Sequence, residues 1–330
     1  MGEALIDILP ARRSQTLQQA SLLRRVAGGA TANVSVGLAK LGCRAAFLGK
    51  VGADPLGYFL QETLSSAGVD VSHMLFESAA NTGLAFAWVD DIDTGEARYL
   101  FYRGNSAHYC LSAEDLDKAW LASASILQYG SLLLAREPSA SATRLAIKIA
   151  RSAGLLCVYD LNLRLPAWQD AGAARAGMKS LLELSDVVKL NRHELAFLTG
   201  ETDLERGVKS IWREENQLLI VTLDREGCFF RSRKASGYIP GYPVQVVDTV
   251  GCGDAFMAVL LARFLKERKS SSSVEGFAGF DFENADLIKD VCRYANAAGA
   301  LTATRAGAIP ALPGRLQLSR FLKTPFPVQL

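Results

Sequence analysis

Apolar and polar positions follow two rhythms along this chain. Short apolar runs at Ala45–Leu48, Ile126–Tyr129, Leu155–Asp160, Val187–Leu190 and Leu218–Thr222 read as strands, and Glu3–Leu9 reads as another. Leu56–Ala67, Ala140–Ser152 and Leu287–Thr304 carry helical spacing, and Val259–Leu265 extends a helix that begins at a glycine turn just upstream. Strands alternating with helices predict an α/β fold, with a mostly parallel sheet covered by helices on both faces. Two stretches break the rhythm. Residues 9–27 are polar without a clean helical period, and residues 82–103 pattern as a hairpin, Gly83–Val89 and Ala97–Arg103 around a turn at Asp90–Gly95. Together they suit one small sheet over the mouth of the main domain, a lid that excludes water; a hairpin without a role is the competing expectation. The expected division is a main domain of residues 1–8, 28–80 and 107–330 with a lid of 9–27 and 81–106. Lys269–Ser273 reads as a mobile loop. The first strand starts so close to the first residue that either it is cut short or Met1 lies inside a longer protein.

Charge and composition narrow the function classes. The chain has 330 residues, 49% of them apolar and 21% charged, enough for one large α/β domain with a small appendage. A formal charge of +2 gives no reason to expect nucleic acid, and the basic cluster Arg263–Lys269 reads as a solvated helix end. Cys43, Cys110, Cys157, Cys228, Cys252 and Cys292 are scattered without a C-x-x-C pair, as are His73, His108 and His193. Neither zinc nor a disulfide framework follows, and a reducing, cytoplasmic setting is expected. No apolar run reaches membrane-spanning length, so no membrane partner is expected, and the N-terminus has no signal-peptide pattern.

The chemistry concentrates in Asp248-Thr249-Val250-Gly251-Cys252-Gly253-Asp254-Ala255-Phe256. Gly251 and Gly253 let backbone N–H groups turn toward one point at a helix start, where the dipole favours an anion, phosphate above all. Asp254 is placed to take a proton from a nucleophile approaching that anion, the requirement of phosphoryl transfer to an alcohol. Asp248, Gly251, Gly253 and Asp254 at this spacing should arise by chance roughly once per 10^5 positions; an Asp-capped glycine turn is the bland alternative. No Lys-Ser or Lys-Thr follows the glycines, so this is not a Walker loop, and Phe256 stands where a dinucleotide fingerprint has its third glycine.

Other constellations sit at strand ends. Gly28-Gly29-Ala30-Thr31-Ala32-Asn33 precedes the apolar stretch Val34–Leu41; its glycines admit a small ligand, and Asn33 offers donors and acceptors to hydroxyls, unless it is only a tight turn. Asp7, near the carboxyl end of the first strand, suits a sugar diol, or is a plain surface carboxylate. Asp160-Leu161-Asn162-Leu163-Arg164 closes a strand, with Arg164 a candidate phosphate clamp. Asn191 and Glu194 share a helix face after another strand; their oxygens suit Mg2+ through water, and a helix cap is the alternative.

Together these motifs resemble the PfkB (ribokinase-like) carbohydrate kinases nearly end to end, through Gly28–Asn33, Gly49–Gly57 and Asp248–Phe256 in that order. Within the family the chain looks most similar to fructokinases, through Gly2–Asp7, Phe101-Tyr102-Arg103, Asp160–Arg164 and Gly307–Pro313. The resemblance implies a Rossmann-like αβα sandwich with a β lid, and ATP-dependent phosphorylation of a sugar hydroxymethyl group, fructose to fructose 6-phosphate first. It implies Asp254 as base, the amides of Gly251, Cys252, Gly253 and Asp254 as anion hole, and Asp7, Gly28, Gly29, Asn33, Arg103 and Arg164 around the sugar. Asn191 and Glu194 would lie near Mg2+ and the phosphates, Thr222, Gly227 and Asn296 around the nucleotide, and Asp248 and Val250 around a monovalent cation such as K+. It also implies a homodimer through the lid. Four positions depart from the family pattern. Cys252 replaces an alanine and suggests sensitivity to thiol reagents, Leu190 replaces a proline, Asp224 replaces the first glycine of T-x-G-x-x-G where it would crowd ATP phosphates, and His108 replaces an aspartate near lid and sugar. Kinases of 2-keto-3-deoxygluconate, ribose or aminoimidazole riboside, and a non-catalytic fructokinase-like subunit, are the competing functions. A nicotinamide-dependent dehydrogenase fails for want of Gly-x-Gly-x-x-Gly after the first strand.

Overall fold

Every residue of Leu156–Asp160 is buried, a strand hidden on both faces as a helix-covered parallel sheet requires. The computed structural model describes residues 1–12, 15–89, 97–102, 104–267 and 280–323; the turn at Asp90–Gly95, Arg103 and the loop Lys269–Ser273 lie outside the described residues. The strands are β1 (Leu5–Pro10), β2 (Leu23–Gly28), β3 (Gly49–Gly52), β4 (Met74–Glu77), β5 (Leu84–Val89), β6 (Ala97–Tyr102), β7 (Ile126–Gly130), β8 (Leu156–Asp160), β9 (Val187–Asn191), β10 (Leu218–Thr222), β11 (Gly227–Ser232) and β12 (Ser236–Pro240). The helices are α1 (Ala30–Lys40), α2 (Pro55–Ser66), α3 (Lys118–Ala122), α4 (Ser139–Ser152), α5 (Ala171–Lys179), α6 (Arg192–Thr199), α7 (Leu204–Ile211), α8 (Cys252–Glu267), α9 (Ala285–Ala303) and α10 (Arg315–Leu322).

The main sheet has six strands in the order β12-β11-β10-β9-β8-β7; the pairs from β7 to β10 are parallel and the two at the β12 edge antiparallel. Successive residues point to opposite faces, so each strand feeds two cores. Leu156, Val158, Val187, Leu218 and Ile220 join the helices α1, α8 and α9 in one core. Cys157, Tyr159, Val188, Leu190, Leu219 and Val221 join α4, α6 and α7 in the other.

A second sheet runs β2-β1-β5-β6, and β3 and β4 form a parallel pair. The opening strand therefore differs from the expected division. Residues 1–4 run beside the main domain, with the amide of Gly2 donating to Leu48 O and the amino group of Met1 to Gln128 O, but Leu5–Pro10 pairs antiparallel with β2 and parallel with β5. The stretch 9–27 likewise ends in a strand, β2, whose exposed Arg24 and Arg25 conceal the pattern. The strand expected at Ala45–Leu48 starts at Gly49, with Ala46 reduced to an isolated bridge to Asp70. Residues Asp7, Ala85 and Phe101 face one way across the small sheet, and Ile8, Phe86 and Leu100 the other. At its base Asp54 caps α2 through Leu56 and Gly57 N–H and accepts from the backbone and hydroxyl of Thr82, fastening the hairpin to the main domain.

Candidate active site

A cavity of about 870 Å³ opens between the small sheet and the carboxyl ends of β8, β9 and β10, the expected ligand position in an open α/β sheet. Asp7 and Phe101 face it from the small sheet; Asp160, Asn191 and Thr222 end the three strands; the α8 N-terminus forms its floor.

That floor depends on glycine. Gly251 has φ +82°, which an L side chain rarely adopts, and a Cβ there would lie 3.0 Å from the Ala308 backbone. The first i→i−4 bond of the helix runs from Ala255 N–H to Gly251 O at 2.8 Å, so the preceding amides of the turn have no partner within the helix. Asp248 shapes the approach: its Oδ1 accepts from Val250 N–H at 3.1 Å and its Oδ2 from Gly307 N–H at 2.8 Å. These bonds tie the cradle to the Gly307 turn beside the positions expected to meet a monovalent cation.

Asp254 stands half-buried in the first turn of α8, lining the cavity. Asn33 Nδ2 donates to its Oδ2 at 2.7 Å. Burial dominates its titration and pushes its carboxyl up to about 7; the Asn33 hydrogen bond opposes this, Asp160 adds to it, and Lys189 and Arg164 offset part. A carboxylate titrating near neutrality is suited to general-base work. The Asn33–Asp254 contact has a packing cause one turn along each helix: a Cβ on Gly37 would lie 2.6 Å from Ala258 Cβ, so the glycine lets α1 and α8 close together. The other Asn33 amide atom, Oδ1, is buried without a hydrogen-bond partner, an acceptor available to a ligand hydroxyl.

Lys189, in the middle of an apolar strand run, is a site residue the sequence reading passed over. Its Nζ lies 2.9 Å from both oxygens of Asp160, and a Cβ on Gly253 would come within 3.2 Å of it. Burial alone would discharge this amine, but Asp160 and Glu194 outweigh it and hold its pKa above the ordinary lysine value. An ammonium, the α8 amides and Arg164 thus line one cavity, a fit for a transferring phosphoryl group.

Asn191 and Glu194 form a reciprocal capping box on α6: Asn191 Oδ1 accepts from Glu194 N–H, and Glu194 Oε2 from Asn191 N–H, both at 2.8 Å. Glu194 Oε1 also accepts from Leu163 N–H at 2.7 Å, bracing the left-handed turn at Asn162, φ +43°. Both residues line the cavity, while among the described residues no three His, Cys or acidic groups converge as a metal cage. Sparse oxygens of this kind suit Mg2+ held mostly by water and phosphate.

Gly28 leaves room for the Asp7 carboxylate, which a Cβ would overlap, and Gly29, φ +103°, lies against the Glu3 backbone. Thr222 lines the cavity mouth with its Oγ1 donating to Leu190 O at 3.4 Å, and Gly227, φ +105°, is packed on Ile239 O. Asn296 Nδ2 ties α9 to Ile239 O at 3.1 Å and Pro240 O at 3.2 Å. Asn296, Gly299, Ala300 and Ala303 recur at helical spacing on the cavity side of α9, facing the cavity shared with Tyr242, Val244 and Val246. The α9 wall is thus built mostly of small residues, and its signal in the sequence was the Ala/Gly period.

Two departures resolve differently from expectation. The Cys252 thiol is pushed up to about 12, by burial first and then by Asp248 and Asp254, the opposite of the lowering that activates a thiol. His108 is 1% exposed, its ring tilted against that of Tyr109 with centroids 4.2 Å apart and 3.0 Å from the Cβ position of Gly83, and is not among the cavity-lining residues. It packs under the hairpin, against Gly83 and Tyr109.

Comparison with known proteins identifies the family. The pfkB family carbohydrate kinase profile matches residues 1–315. A fructokinase-2 of Oryza sativa subsp. japonica is 39% identical over 313 residues, covering 94% of this chain and 89% of its own. The crystal structure of a fructokinase from Vibrio cholerae O395 in fructose-, ADP- and calcium-bound form superposes with a TM-score of 0.84 at 33% identity, covering 97% of each chain. That of a fructokinase from Xylella fastidiosa with bound ATP does so with a TM-score of 0.85 at 32% identity, covering 98% of this chain and 96% of that one. With near-complete coverage, a shared fold and a cavity built for phosphoryl transfer, this chain belongs to the pfkB family of carbohydrate kinases.

Proposed function

We propose that the chain is an ATP-dependent fructokinase, which moves the γ-phosphoryl of ATP to the hydroxymethyl oxygen of fructose and yields ADP and fructose 6-phosphate. The observation that carries this reading is Asp254, with a carboxyl near pKa 7, held by Asn33 at 2.7 Å on the floor of a cradle that also gathers Lys189. The fructokinases that resemble the chain, one of them holding fructose and ADP, favour fructose over other sugars.

In this reading the sugar lies between the small sheet and α1. Asp7 and Asn33 Oδ1 accept from its hydroxyls, and the small sheet shuts out water that would otherwise compete as acceptor. Asp254 removes the hydroxyl proton as the oxygen forms its bond to phosphorus and the bond to the departing diphosphate breaks. The amides of Gly251, Cys252, Gly253 and Asp254 with Lys189 meet the charge developing on the phosphoryl oxygens, and Arg164 steadies it from the β8 side. Thr222, Gly227 and Asn296 border the nucleotide. Mg2+ near Asn191 and Glu194 would neutralise phosphate charge, and K+ near Asp248 and Val250 would reinforce the cradle from behind. Exposed Leu22, Leu23, Leu100 and Tyr102 on the small sheet and its flank support a homodimer through that sheet. Six free cysteines fit a reducing cytoplasm, and no helix among the described residues is long and apolar enough to cross a membrane.

The direct test is ADP release with Mg2+, ATP and K+ over fructose, glucose, ribose, 2-keto-3-deoxygluconate and aminoimidazole riboside. Fructose should give the highest kcat/KM. A higher value on another sugar would replace the substrate, and no turnover on any from well-folded protein would withdraw the catalytic reading.

A further inference from the structure

The turn that follows β10 carries a charge that phosphoryl transfer does not require. Asp224 opens the helical turn Asp224–Glu226 on the rim of the cavity, on the same wall as Thr222 and Gly227. Its φ is +51°, a left-handed conformation in which glycine is at ease and aspartate is among the few tolerated side chains. The turn cannot relax away from the cavity. Leu223 N–H donates to Gly227 O at 2.8 Å, Glu226 N–H to Leu223 O at 3.0 Å, and Gly241 N–H to Glu226 O at 3.0 Å. Arg192 on α6 pairs with Glu226 at 2.9 Å and feels the charge of Asp224 as a weaker, more distant influence. The field of Asp224 reaches the α8 cradle, where it helps to push up the Cys252 thiol. An exposed carboxylate on a fixed backbone turn therefore lines the cavity in which an anion is to be held.

We propose that Asp224 is a selectivity residue that makes the cavity discriminate against free nucleoside triphosphate in favour of its divalent-metal complex. The inference rests on the nucleotide half of the proposed function. Free triphosphate carries two more negative charges than its Mg2+ complex, so one carboxylate at short range penalises it more. Arg225, on the same rim, moderates this field without cancelling the difference between the two forms of the ligand.

The experiment is calorimetric titration of the full chain with the non-hydrolysable analogue AMP-PNP, in EDTA and in excess Mg2+, for wild type, Asp224→Asn and Asp224→Gly. Asparagine keeps the left-handed backbone and removes only the charge. In EDTA both variants should bind about tenfold more tightly than wild type, and in Mg2+ the gain should shrink to about threefold or less. In turnover assays, ATP in excess over Mg2+ should inhibit both variants more strongly than wild type. An equal gain in both media, a gain in Asp224→Gly alone, or no gain would each overturn the proposal. The titration uses no sugar, so a failure of fructose phosphorylation would leave it readable and would count against the fructokinase reading instead.

Discussion

Helices α1 and α8 both begin after a glycine with left-handed φ, Gly29 at +103° and Gly251 at +82°. Both line the same cavity, and by sequence both look ready to hold an anion. Their surroundings separate them. The start of α1 is occupied from within: Ala30 N–H donates to Glu3 Oε1 at 3.0 Å, and the Thr31 hydroxyl to Glu3 O at 2.9 Å. A carboxylate of the chain itself already sits where an anion would bind. The start of α8 opens on the cavity with Gly251, Cys252, Gly253 and Asp254 all lining it and Lys189 beside Gly253. A glycine-led helix start becomes an anion site only if the rest of the fold leaves it empty and adds positive charge.

Three variants can break or sharpen this contrast. The largest effect belongs to Asp254→Asn, which should lower kcat by about two to four orders of magnitude, the usual loss for a general base, while AMP-PNP still binds by calorimetry. Intact turnover would show that the open helix start works without this carboxylate. The same variant has a stability signature. The folded state holds the Asp254 proton up to about pH 7 whereas a free carboxyl releases it near 3.8, so stability falls as pH rises through that window. Above pH 7 Asp254→Asn should be more stable than wild type by about 1–2 kcal/mol, a value discounted for solvent in the cavity.

An intermediate effect is expected at the closed start. Glu3→Ala strands the Ala30 N–H, and thermal unfolding should reveal a loss of about 1–3 kcal/mol, larger than its effect on the chemical step. A fall in kcat rivalling that of Asp254→Asn at unchanged stability would refute the view that Glu3 merely seals α1. The smallest effect concerns pH. Since Asp254 must be ionised to accept a proton, kcat/KM should rise through an inflection near pH 7. Asn33→Ala removes the donor that holds this carboxyl down, so the inflection should move up by about half to one unit. A downward shift would place Asn33 in another role.

How much of this was readable in advance varies by layer. Strands β8, β9 and β10 stood out because burial on both faces demands near-continuous apolar runs, and Asp254 stood out because its glycine neighbours have few other uses. Strand β2 was hidden since Leu-Arg-Arg-Val-Ala-Gly buries only its end. Lys189 was hidden for the opposite reason: embedded between Val188 and Leu190 it reads as strand interior, and only the neighbouring β8 supplies the Asp160 that keeps it charged. Gly37 carried no local signal at all, because its role is the approach of α1 to α8 across more than two hundred residues of chain, a separation visible in the Asn33–Asp254 bond at |i−j| = 221.

The sequence by itself determined the alternation of strands and helices, the glycine turns and the carboxylate at the head of α8, because periodicity and backbone freedom act over a few residues. Tertiary structure alone decided which helix start stayed open, that Leu5–Pro10 joined the small sheet, that partial burial pushed the Asp254 carboxyl up to about 7, and that His108 lies outside the cavity lining. Those outcomes depend on which distant groups are brought within a few ångströms, where desolvation and charge act, and no local pattern encodes that meeting.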